Sequence, residues 1–173
     1  MSEIEPHLST LGPRFVAAIE LRANGRIDEA LEAFGAILRQ EPRLAEPRME
    51  IARIHLETGR LEEAEIQARE ALRILLLGGQ WTEDLPENVV LSLAWALIGE
   101  ILKEKAASDE VVFGDPAVFK EILAESRVAF AKAAELDPSD SSSWANALEL
   151  AEERRDREEM TGQIEDEGDG EAH

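Results

Sequence analysis

Apolar residues recur at helical spacing through Phe15, Val16, Ile19 and Leu21, then stop at Asn24-Gly25. The pattern resumes at Ile27 and runs to Gln40, ahead of Glu41-Pro42. From Ala45, with Pro47 in a first turn, Ile51, Ala52, Ile54 and Leu56 carry it to Thr58-Gly59. A further helix is predicted over residues 61–77, closed by Gly78-Gly79. Residues 80–85 read as a loop leading into Pro86, and a long helix follows over 86–107. Residues 108–115 read as a second loop. Asp115-Pro116 then offers a capping carboxylate followed by a first-turn proline, and that helix reaches Leu136 before Asp137-Pro138. The Ser141 to Ser143 run starts a last helix with Trp144, Ala147, Leu148 and Ala151. At the other end, residues 1–12 read as a lead-in segment, with Ser9 or Thr10 as cap and Pro13 in the first turn. The fold class expected from this pattern is all-α.

One block of the pattern occurs twice. Asn24-Gly25-Arg26-Ile27-Asp28-Glu29-Ala30-Leu31 returns as Thr58-Gly59-Arg60-Leu61-Glu62-Glu63-Ala64-Glu65, 34 residues later. The echo extends to Arg14 and Arg48, Ala18 and Ala52, Leu38 and Leu72, and Arg39 and Arg73. A period of this length marks stacked helix–turn–helix units. The first unit carries Ala17, Ala18, Leu21, Ala30, Phe34, Ile37 and Pro42, and the second Ile51, Ala52, Ala64, Ala68 and Ala71. Trp95, Ile98, Gly99 and Leu102, with Phe130, Ala133, Leu136 and Pro138, give a third, interrupted unit about 15 residues too long. These residues resemble the tetratricopeptide repeat signature, in which small side chains let two antiparallel helices approach and larger ones fill the seams. The resemblance spans residues 14–153 and departs at Arg14, Arg48 and His55. It implies an α-solenoid of about three helix pairs plus a C-terminal capping helix. The units fall near residues 13–44, 45–79 and 86–140, the cap at 141–160, and the whole solenoid at 13–160.

Such arrays curve, and the resemblance implies a concave groove lined by the first helix of each unit. Its lining here is Phe15, Val16, Ile19, Arg22, Met49, Glu50, Arg53, Leu56, Leu93, Leu97 and Glu100. The family's two-carboxylate clamp needs basic and Asn residues where this chain has Phe15, Ile19, Glu50, Leu93 and Leu97, so that use is excluded. The remaining groove is apolar with acidic points. It suits an amphipathic or basic-apolar segment of a partner protein, with Met49 as an adaptable contact. Burial of the same residues by the chain itself, or by a second copy, is the competing reading, and exposure of Phe15 and Met49 separates the two. Trp81 and the apolar run Val111-Val112-Phe113 are possible loop contacts.

Charge narrows the partners. With 38 Asp and Glu against 18 Lys and Arg the net charge is −20, which repels nucleic acid phosphates and anionic lipid surfaces. The most apolar run, residues 89–102, is interrupted by Ser92 and Glu100 and is too short to span a bilayer. No cysteine is present, which fits a reducing compartment, and the acidic start reads unlike a secretory leader, so a cytoplasmic location is expected. Residues 161–173 carry five acidic residues and no basic one, and are expected to be disordered.

Candidates for chemistry are few. His7, His55 and His173 lie in no metal-ligand spacing, and the Ser141–Ser143 run reads as a helix cap rather than a nucleophile. The acidic string at residues 165–171 lacks the spacing of a calcium loop. No catalytic, cofactor or metal site is expected. The reading is a non-catalytic interaction module or adaptor. Two alternatives stand beside it: a chaperone that shields an apolar client, similar in size and charge to bacterial secretion chaperones, and a self-assembling scaffold.

Overall fold

Glycine marks the end of three helices in the computed structural model, which describes residues 5–79 and 85–139 and, beyond them, Ser142, Ser143, Ala145, Asn146 and Glu149; side chains are described from Thr10 onward. The described helices are α1 (Glu5–Ala23), α2 (Ile27–Gln40), α3 (Glu46–Glu57), α4 (Leu61–Leu76), α5 (Glu87–Ala107), α6 (Asp109–Val112) and α7 (Pro116–Leu136). Gly25 and Gly59 both take φ 76°, the left-handed region where a side chain is strained. Each sits in the same cap. Arg26 N–H donates to the Leu21 carbonyl and Gly25 N–H to that of Arg22; Arg60 and Gly59 repeat this onto His55 and Leu56. The 34-residue echo is therefore an echo of backbone turns as well as of side chains.

α2 and α4 begin with paired acids, Asp28 and Glu29, then Glu62 and Glu63, which favour the positive helix end. They end with Arg39 and Arg73 in the last turn. Hairpins α1–α2, α3–α4 and α5–α7 stack through α2 on α3 and α4 on α5. One apolar cluster centres on Phe34 and joins α1, α2 and α3. A second runs from Met49 and Ala52 through Ala64, Ala68 and Leu75 to Leu97 and Ile101. A third gathers Ala106, Val111, Phe119, Leu123 and Phe130.

Small residues set the helix spacing. Ala18 and Ala30 in the first hairpin, and Ala52 and Ala64 in the second, are fully buried. Gly99 and Ser126 take these places in the third, and the Ser126 hydroxyl donates to the Gly99 carbonyl at 2.7 Å. Ser92 donates likewise to the Ala133 carbonyl at 2.8 Å. Both hydroxyls are buried, so these bonds meet polar atoms that would otherwise cost free energy.

Two expectations change. α1 starts at Glu5, not at Pro13, and carries Pro13 inside it. An internal proline forfeits one helix hydrogen bond. The burial of Leu11 against the first cluster holds the turns ahead of Pro13 in place, where propensity alone suggested a lead-in segment. Residues 108–115 are not wholly loop, because they contain the short α6. Its start is the Ser108 break, where the Ser108 hydroxyl turns back onto the Lys105 carbonyl. The Asp115 carboxylate accepts from Ala117 N–H at 2.9 Å and caps α7 as the sequence implies. Trp81, Trp144, Ala147, Leu148, Ala151 and the acidic tail lie outside the described residues. Of the expected cap, Asn146 and Glu149 meet Lys103 of α5 at 2.9 and 3.3 Å.

Candidate functional site

The first helices of the three hairpins, α1, α3 and α5, bring the expected groove residues to one side, but not as an open apolar channel. Phe15, Met49 and Leu97 are only 4, 3 and 2% exposed. Phe15 packs on Phe34 with ring centroids 5.7 Å apart, while Met49 and Leu97 belong to the second cluster. The gap that Phe15, Met49, Val90 and Leu93 share with Leu85 measures about 40 Å³. That is room for little more than a water molecule. These three residues are therefore core rather than contact residues. Their apolar area is worth more against neighbouring repeats than against water. Ile19 and Leu56 are half-buried against the same clusters. Val16, Leu93 and Glu100 remain exposed on this side.

Its polar part is closed by ion pairs. Arg22 reaches from α1 to Glu50 of α3 at 2.8 Å and also binds Glu57, and Arg53 binds Glu50 from one turn further along α3. Glu50 is buried, so a carboxylate there needs cations close by. Two guanidinium groups of the chain supply them. Glu50, expected as one of the groove's acidic points, is thus already paired within the chain. A signal did exist in the sequence: Arg22 and Glu57 lie one period and one residue apart.

A different opening lies at the edge of the stack, where the α3–α4 turn faces the long α5–α7 connection. It measures about 650 Å³. Leu61, Val111, Val118 and Ile122 give it an apolar floor. Arg60, Glu62, Glu63, Lys105, Glu110 and Asp115 line it with polar groups. Lys105 is fixed there by Glu62 at 2.8 Å and Glu65 at 2.9 Å. The Glu62 hydrogen bond holds the Lys105 ammonium above its usual range, against partial burial. Burial pushes the Glu65 carboxyl up, but hydrogen bonds from Lys105 and Arg69 outweigh it, and the group titrates below its usual value. Both groups therefore stay charged at neutral pH. The run Val111-Val112-Phe113 divides: Val111 is buried, Val112 is exposed, and Phe113 is 84% exposed.

The outer side has a shallower opening of about 340 Å³ between α4 and α7, floored by Trp95, Ile98 and Leu102 of α5. Arg69 bridges it to Glu125 at 3.0 Å, and Lys132 sits 4.2 Å from the centre of the Trp95 ring. Trp95 is thus spoken for by packing and a cation–π contact.

His55 is packed, as its place in the repeat implies. Burial pushes its imidazole below the ordinary value of 6.5, Arg60 adds to this, and Glu63 opposes it. Its Nδ1 is buried and has no hydrogen-bond partner among the described residues. The unfolded chain therefore takes up this proton at higher pH than the folded one. The stabilising contribution is present above pH 6.5 and is lost on acidification, until the folded imidazole also protonates. In His55→Leu that loss is absent. Urea midpoints of variant and parent are expected to shift in the variant's favour as pH falls below 6.5, and parallel midpoints would contradict the assignment.

Among the described residues no group of three or more His, Asp or Glu is arranged to hold a metal ion, and no helix is long and apolar enough to cross a membrane. Stacked helix hairpins with small residues at their crossings define a helical-repeat protein. A tetratricopeptide repeat family model matches residues 15–75, and over that span the chain is similar to tetratricopeptide repeat proteins. The match covers the first two hairpins and stops before the third. No curated protein matches the sequence.

Proposed function

We propose that this chain is a non-catalytic protein-interaction module that meets its partner at the edge cleft between the second and third hairpins. The observation that carries the reading is Phe113, 84% exposed in the connection whose Ser108, Glu110, Val111 and Asp115 line a 650 Å³ opening. An exposed phenylalanine, with the exposed Val112 next to it in the chain, leaves apolar area that a partner can cover. The inner side offers less, because its largest apolar side chains are already core. A client-shielding chaperone needs a broad apolar inner face, so the closure around Phe15 and Met49 weighs against that alternative. A net charge of −20 opposes self-assembly through like surfaces.

The test is parallel affinity capture from the source cells with the intact chain, Phe113→Ser and Val16→Ser, read by quantitative mass spectrometry. A partner lost at least tenfold with Phe113→Ser and kept with Val16→Ser supports the cleft. The reverse pattern moves the contact to the inner side.

A further inference from the structure

The edge cleft joins an apolar floor to an acidic rim. Its lining carries four carboxylates, Glu62, Glu63, Glu110 and Asp115, against two cations, Arg60 and Lys105. Lys105 is not available to an incoming anion, since Glu62 and Glu65 already hold it. Glu63 and Glu110 have no ion-pair partner among the described residues. The field at the mouth is negative within a chain that is itself strongly negative, and it attracts cations and repels acids. The floor, in contrast, is made of Leu61, Val111, Val118 and Ile122, which give charge no partner and reward apolar burial. The volume of about 650 Å³ holds a bulky side chain with a stretch of backbone beside it.

Resting on the reading of the cleft as the contact site, we propose that its occupant is a short segment of a different protein, with a bulky apolar side chain flanked by lysine or arginine. The apolar side chain enters over Val111 and Ile122, and Phe113, exposed on the same connection but outside the lining, adds apolar contact at its edge. The flanking cations meet Glu63 and Glu110. A second copy of this chain is a poor occupant, because each copy brings the same negative charge to the contact.

The test selects a displayed library of random twelve-residue peptides against the intact chain, with counter-selection on Phe113→Ser. Selected peptides are then synthesised, and their affinities measured by fluorescence anisotropy at two salt concentrations. Expected are sequences rich in Lys or Arg around a Phe, Leu, Ile or Trp. They should bind at least tenfold more weakly to Phe113→Ser and to Glu63→Lys/Glu110→Lys, and more weakly at high salt. Peptides that depend on Phe113 but are neutral or acidic overturn the charge assignment and leave the cleft as the contact site. Peptides indifferent to Phe113→Ser, or a failure to enrich any, overturn both. Sedimentation showing a dimer that Phe113→Ser abolishes overturns the choice of a different protein. Phe113 is exposed and outside the apolar clusters, so its replacement leaves the fold in place for every arm.

Discussion

Gly99→Leu is expected to lower the stability of the third hairpin by about 3 kcal/mol, the upper part of the range for overpacking a filled core. A Cβ on Gly99 would lie 2.9 Å from two atoms of the Phe130 ring, closer than real contacts allow. The ring has no room to give, because Phe130 is fully buried. The backbone is pinned as well, since the Gly99 carbonyl accepts the Ser126 hydroxyl at 2.7 Å and a forced separation of α5 from α7 breaks that bond. A better helix former at this place regains about 1 kcal/mol at most, so the clash wins. Phe130→Ala leaves a cavity instead and costs about 3–5 kcal/mol. The two effects oppose each other: the double variant should be more stable than the sum of the single losses implies. Urea unfolding followed by circular dichroism measures all three, and strict additivity would mean that Gly99 and Phe130 are not the crossing point.

Glu50→Ala should cost about 2 kcal/mol. Removing one member of a buried ion pair costs roughly 3–5 kcal/mol, and the partial exposure of Arg22 and Arg53 reduces it. The loss leaves two guanidinium groups facing the same vacated space. It also weakens the tie between α1 and α3, since Arg22 then keeps only the more exposed Glu57 at the end of α3. Repulsion between exposed charges is screened by salt, so the deficit should shrink when salt is raised to about 1 M. Glu50→Gln keeps the shape and loses only the charge. A deficit in Glu50→Ala that Glu50→Gln does not share, unchanged by salt, would make packing rather than charge the cause.

How much of this was legible depends on the kind of information each residue carries. The first two hairpins were plain because their turns repeat: Asn24-Gly25 and Thr58-Gly59 specify the same cap, and the same small residues follow at the same distance. Helices α2 and α7 fall at the residues that their caps and prolines indicated. The start of α1 was missed because proline is a local signal and the burial of Leu11 is a tertiary one. The inner face was misread for a related reason. Position in a repeat says which way a side chain points; how tightly neighbouring repeats close over it is not a local property. Phe15 and Met49 point inward as expected and are covered all the same. The edge cleft was only half visible. Phe113 stood out as apolar within a connection, but the partners across the opening, Leu61 and Glu63, lie some fifty residues away and become neighbours only through stacking.

The third hairpin also starts its return helix early. Measured from the small residue at the crossing, α4 begins three residues before Ala64 and α7 ten before Ser126. The seven extra residues make a step of about 10 Å at 1.5 Å each. Because the two walls of that step belong to different repeats, its width follows the rotation of one repeat on the next, which is also what sets the pitch of the whole coil. Whatever sits in the corner is therefore a wedge. It favours one pitch over others, and a pull that winds or unwinds the coil changes its grip.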